Sequence, residues 1–121
     1  MNGRNVYSQI SKSGFDAAIF LDEISQYYLT DFYTTDGVVI VDTKGTHLIT
    51  DTRYIEAVEL DKQAGKLSED VLPRLFDKGY YADIASHLKG IGAKKVCIDA
   101  AHVSVLQLEK MKAECDGIEF G

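Results

Sequence analysis

The sequence predicts an α/β fold in which a mixed β-sheet carries helices on both faces. Three observations lead there. Two short runs, Ala17 to Leu21 and Gly37 to Val41, are apolar without interruption, as expected of strands covered on both sides. Segments with helical spacing separate the strand candidates, which is the alternation of a layered α/β domain. One tight turn, DTKGT at Asp42 to Thr46, places a glycine where a hairpin loop needs positive φ, so at least one strand pair is antiparallel.

The elements follow in order. Val6 and Ile10 lie one helical turn apart and Gly14 follows as a stop, so Arg4 to Ser13 reads as a helix. Ala17 to Leu21 is then a central strand, and Gly37 to Val41 is a second that returns over His47 to Thr50. Asp51 precedes RYIEAVEL, where its carboxylate can accept the free amides of a helix start, so a helix is expected over Thr52 to Glu59. Asp61 to Asp70 is polar and reads as a loop, and Pro73 forbids one uninterrupted helix across Ser68 to Phe76. Tyr81, Ile84, Ala85 and Leu88 keep the spacing of a one-sided helix that Gly90 ends. Val96 to Asp99 is a short strand. Ser104 and Gln107 form a capping box, Val103 and Leu108 the hydrophobic staple around it, and Leu108, Met111 and Cys115 face the core. Ile118 to Phe120 is a last strand. No repeat or linker interrupts the chain.

Composition narrows the function. With 121 residues, 45% apolar and 26% charged, the chain fits one domain with its own core. A net charge of -6 without a basic cluster repels phosphate backbones, so no nucleic-acid partner is expected. Cys97 and Cys115 are too far apart for a CxxC site and read as small core residues in a reducing compartment. No apolar run reaches the ~18 residues of a membrane span, and MNGRNVYSQI lacks the apolar stretch of a secretion signal. The expected location is the cytoplasm.

Candidate chemistry is sparse. Asp42, His47 and Asp51 carry metal-binding groups, yet each has a structural task as turn, strand start or helix cap, so no metal is expected. His87 and His102 have no matched partner in the sequence and read as surface or satisfied side chains. A two-metal nuclease needs acidic residues projecting from the sheet; the first strand has none, and Asp16 and Asp99 stand at strand ends. There is no GxSxG elbow, P-loop or GxGxxG. No catalytic residue is assigned. In TDTRYIEAVE, Arg53 is expected to pair with Glu56 and Tyr54 to pack inward. The segment YYLTDFYTTDGVVIV, Tyr27 to Val41, admits two readings. It is either a functional loop presenting Phe32, Tyr33 and Asp36 or a polar connector with Tyr27 and Leu29 in the core. Spacing does not separate them.

The pieces AAIFL, YYLTDF, GVVIVDTKGTHLIT and ITDTRYIEAVE, in this order, resemble the N-terminal domain of the creatinase, prolidase and aminopeptidase P family. The match is tight over Phe15 to Glu59 and looser through KKVCIDAAHVSVLQLEKM. The resemblance implies a ribonuclease-H-like α/β domain over residues 1–121, without the larger catalytic "pita-bread" domain. In the family's peptidases that second domain holds a dinuclear manganese, cobalt or zinc centre and cleaves an Xaa-Pro bond. This chain is then expected to bind no metal, to support homodimer formation and to wall the cleft that receives a peptide substrate. Phe32, Tyr33 and Asp36 match the family's cleft loop, while Asp51, Arg53 and Tyr54 match a signature assigned here to holding the domain together. Asp31 stands where the family usually has glycine, and EISQ replaces the usual Asn-Ile-Arg. The alternative function is an independent module that binds a protein or small ligand through the aromatic loop.

Overall fold

The computed structural model describes residues 3–121. In chain order the elements are α1 (Gly3–Lys12), β1 (Ala17–Phe20), α2 (Glu23–Thr30), β2 (Val38–Asp42), β3 (Gly45–Thr50), α3 (Ile55–Gln63), β4 (Val71–Leu75), α4 (Tyr80–Gly90), β5 (Lys95–Ile98), α5 (Val105–Glu114) and β6 (Glu119–Phe120). The six strands form one sheet in the order β4-β3-β2-β1-β5-β6. The β1–β2 and β2–β3 pairs are antiparallel, and β3–β4, β1–β5 and β5–β6 are parallel. The sheet is mixed, as predicted.

Alternation along the central strands builds two cores. Ala17, Ile19, Val38, Ile40, Ile49 and Val96 face one side and pack with Ile84 and Leu88 of α4 and Met111 and Cys115 at the end of α5. Ala18, Val39, Val41, Leu48 and Val71 face the other, against Leu29 of α2, Val58 of α3 and Val6, Tyr7 and Ile10 of α1. Both faces of β1 and β2 are dry, which explains their uninterrupted apolar sequence. The capping box at Ser104 forms, with the Gln107 amide donating to Ser104 Oγ at 3.0 Å and the Ser104 amide to Gln107 Oε1 at 2.8 Å. Val103 and Leu108, which flank it, pack against the first core. Cys115 is buried and Cys97 half-buried, and both thiols are free.

Several expectations are corrected. Asp51 does not cap α3: residues 52–54 form a turn, the helix begins at Ile55, and Asp51 instead accepts the Arg53 amide at 3.0 Å. That turn also removes the helical spacing on which the Arg53–Glu56 pair depended, and Arg53 binds Asp51 and Asp36. The helix runs on to Gln63, into the segment Asp61 to Asp70 expected as a loop, and Val71 to Leu75, where Pro73 excluded only an uninterrupted helix, is the strand β4. Proline is tolerated there because β4 is an edge strand with one unpaired side. Tyr27, which the connector reading placed in the core with Leu29, is 53% exposed. Among the described residues no helix is long and apolar enough to cross a membrane.

Candidate functional site

Sequence spacing left residues 31–37 undecided between connector and site; their positions separate an inner, anchoring set from an outer one. The anchor is Gln26, a residue the sequence reading passed over. It is buried on α2, where its amide donates to the Phe20 carbonyl at 3.0 Å and the Gly37 carbonyl at 2.7 Å, and Thr34 Oγ1 donates back to its Oε1 at 3.3 Å. Its signal in the sequence was its phase: Gln26 lies one turn before Leu29 on the inward stripe of α2. Thr30, also buried, donates to the Gln26 and Phe32 carbonyls and accepts the Phe32 amide. Tyr80 Oη donates to the Gly37 carbonyl at 3.2 Å. A Cβ on Gly37 would lie 2.7 Å from Thr34 Oγ1, so this crossing needs glycine.

Phe32 packs into the second core beside Tyr54. Tyr33 and Asp36 point outward. Tyr33 is 55% exposed, donates its hydroxyl to Glu23 at 2.6 Å and meets the Tyr27 ring edge-on at 6.5 Å. Its bond to the Glu23 carboxylate, reinforced by that charge, holds the phenol above its ordinary range. The Asp36 side chain is 82% exposed and lies 3.6 Å from Arg53. It also borders a cleft of about 330 Å³ shared with Leu21, Glu23, Tyr80, Tyr81 and Gln107. Burial, helped by the nearby Tyr81 and Asp36 charges, pushes the Tyr80 phenol up, so this hydroxyl stays protonated.

The signature residues join the same surface. Arg53 donates to Asp51 through Nε and, at 2.7 Å, through Nη2, and its guanidinium lies 5.2 Å from the Tyr54 ring centre. The Arg53 bonds hold the Asp51 carboxyl below its usual range. Tyr54 Oη and Thr35 Oγ1 are 2.9 Å apart. Asp51, Arg53 and Tyr54 are thereby tied to the loop of Tyr33 and Asp36, so the two groups that the sequence treated separately form one polar and aromatic surface.

The remaining titratable groups cluster elsewhere. Asp42 and His47 do meet, but their third partner is His87 of α4 and not Asp51. His102 is also partnered: its Nδ1 lies 2.8 Å from Asp99, whose neighbours raise the imidazole above its ordinary range, chiefly through that bond and then through the Asp22 charge.

Comparison with known proteins places the fold. No curated protein matched the chain. An Xaa-Pro dipeptidase from Bacillus anthracis superposes with a TM-score of 0.81 at 24% identity, over 98% of this chain and 31% of that one. The N-terminal domain of the cytoplasmic peptidase PepQ from Mycobacterium tuberculosis superposes at 0.77 and 24% identity, over 98% and 89%. An X-Pro aminopeptidase from Thermotoga maritima gives 0.76 at 17% identity, over 88% and 30%. The chain therefore spans about a third of the length of the two whole peptidases. The profile of the Creatinase/Prolidase N-terminal domain matches residues 4–121, nearly the whole sequence. The chain belongs to the creatinase/prolidase N-terminal domain family.

Proposed function

We propose that this chain is the non-catalytic N-terminal domain of an Xaa-Pro peptidase of the aminopeptidase P or prolidase kind, or of a creatinase-like hydrolase. It supports dimer formation and walls the cleft into which peptide substrate enters. The observation that carries this reading is the superposition of almost the whole chain on only 31% of an Xaa-Pro dipeptidase. The hydrolytic step, with its dinuclear manganese, cobalt or zinc centre, belongs to a second domain of the same protein. The similarity to the domain of a cytoplasmic peptidase favours the cytoplasm.

Within this role Tyr33 and Asp36 face the substrate and Phe32 anchors their loop. A carboxylate flanked by Arg53 and two tyrosines can orient a peptide's charged terminus, and Tyr33 can limit its length. In the protein joined to its catalytic domain, Tyr33→Ala and Asp36→Ala are expected to raise KM about 3- to 10-fold, a change of roughly 0.6–1.4 kcal/mol. Melting temperature should stay within about 2 °C for Tyr33→Ala. Asp36 holds φ 58° and its alanine variant should lose about 1 kcal/mol, so Asp36→Asn, which tolerates that angle, is the variant whose stability is compared with wild type. Unchanged KM and length preference with a lowered melting temperature would leave the loop a structural connector. The purified 121-residue chain should hydrolyse no Xaa-Pro peptide with added Mn²⁺ or Co²⁺, and turnover there would overturn the division of labour.

A further inference from the structure

At the far end of β2 from that loop, the β2–β3 hairpin and α4 bring together three buried side chains that the proposed role does not use. His47 Nε2 lies 2.9 Å from Asp42 Oδ1, and His87 Nε2 lies 2.9 Å from Asp42 Oδ2. The two imidazoles stand edge to face with centres 4.4 Å apart. Asp42 and His87 side chains are 3% and 5% exposed, and His47 is 11% exposed.

We propose that Asp42, His47 and His87 bind one divalent ion of the zinc class. One carboxylate and two imidazoles are a donor set suited to Zn²⁺ or Co²⁺, with a fourth position left open. The three donor atoms all lie within 4.8 Å of one another. Donors on a tetrahedral zinc with bonds of about 2.05 Å are about 3.3 Å apart. The 2.9 Å contacts run to different Asp42 oxygens, so around one ligating oxygen one histidine moves out by a few tenths of an ångström while the remaining donor pairs close from at most 4.8 Å. The donors sit on a tight hairpin and a helix packed to one sheet, which limits how far they must travel. Outside them is a cavity of about 420 Å³ that can admit the ion and hold a water as fourth ligand. Its wall includes Lys44 and Arg74 but also Asp77 and Asp83, so the charges near the entrance balance.

The metal-free form already contains its competitor. Arg74 Nη2 lies 3.2 Å from His87 Nδ1. Arginine only donates, so Nδ1 accepts and the His87 proton sits on Nε2, facing Asp42. Ligation through Nε2 requires that proton to move to Nδ1, which can no longer accept from Arg74. Arg74 is exposed and can turn away, at the cost of that hydrogen bond. His47 has no such opponent among the described contacts.

Titration of the wild-type chain with Zn²⁺, followed by calorimetry, is expected to saturate at one ion per chain. Co²⁺ in its place should give the visible absorption of a four-coordinate site. His47→Gln and His87→Gln should weaken binding more than about 100-fold, and Arg74→Ala should tighten it, roughly tenfold. Circular dichroism establishes that each variant is folded. Should a histidine variant fail to fold, ¹⁵N imidazole shifts of the wild-type protein decide, because ligation moves both Nε2 resonances. Absence of saturable uptake, unmoved resonances, or equal affinity in a folded His87→Gln chain would mean a purely hydrogen-bonded cluster and overturn the proposal.

Discussion

Asp31 shows how one backbone angle explains a departure from a family pattern. It closes α2 with φ 62° and ψ 23°, donating its amide to the Tyr27 carbonyl at 2.8 Å. A left-handed residue at this position costs an L-amino acid energy that glycine avoids, and aspartate is one of the few side chains that tolerates it. The glycine usual in the family and the aspartate here therefore meet one conformational demand. Asp31 also accepts an exposed hydrogen bond from Ser68 at 3.0 Å. Asp31→Gly is expected to stabilise the fold by about 0.5 kcal/mol after that bond is lost, whereas Asp31→Ala should destabilise it by about 1 kcal/mol. Urea unfolding of both variants checks the sign. A less stable glycine variant would mean that the Ser68 contact outweighs the backbone angle.

At the scale of elements, the start of α4 depends on one carboxylate. Asp83, buried in the first turn, accepts the amides of Asp77 at 2.8 Å, Lys78 at 3.1 Å and Gly79 at 3.4 Å. Burial alone would raise its pKa, but these three amides, with Arg74 nearby, hold it below the ordinary carboxylate value. A folded-state value below the unfolded one adds stability above about pH 4, and that stability is lost as pH falls through the folded value. Asp83→Asn should therefore cost about 1 kcal/mol at pH 7, with the difference from wild type shrinking below about pH 4. Denaturant unfolding across pH 2.5–7 measures this, and a difference that stays constant with pH would remove the carboxylate's charge from the explanation.

The same scale separates what the sequence revealed from what it hid. The hairpin around Gly45, the dry strands β1 and β2 and the box at Ser104 were legible because their signals lie within a few residues. Strand β4 was hidden because it pairs with β3 across intervening α3, and Pro73 is acceptable only once the strand is known to be at an edge. Within the candidate site, Phe32, Tyr33 and Asp36 were legible as one loop, but which of them face outward was not. Gln26 was not legible either, because its partners Phe20 and Gly37 are fixed only after α2 docks. His87 was unreadable for the same reason, lying 45 positions from Asp42.

For the whole molecule, the layers leave one face unexplained by its own core. Ile24 and Tyr28, one turn apart on α2, are 78% and 61% exposed, with Tyr27 and Tyr33 beside them. Because α2 already buries Gln26, Leu29 and Thr30 inward, the outer stripe contributes little to this domain's own stability. An apolar stripe on a solvent face is instead a reason for association, and under the proposed role its partner lies in the assembled peptidase. The double variant Ile24→Glu, Tyr28→Glu should leave the melting temperature of the 121-residue chain within about 2 °C of wild type. In the two-domain protein the same pair should shift the assembly from dimer toward monomer, as read by sedimentation velocity over a range of concentrations. Glutamates there desolvate poorly, so a loss of about 2 kcal/mol or more in association is expected from burying them. If the two-domain variant stays dimeric at the wild-type dissociation constant, this face of α2 is not the dimer contact, and domain association must use another surface.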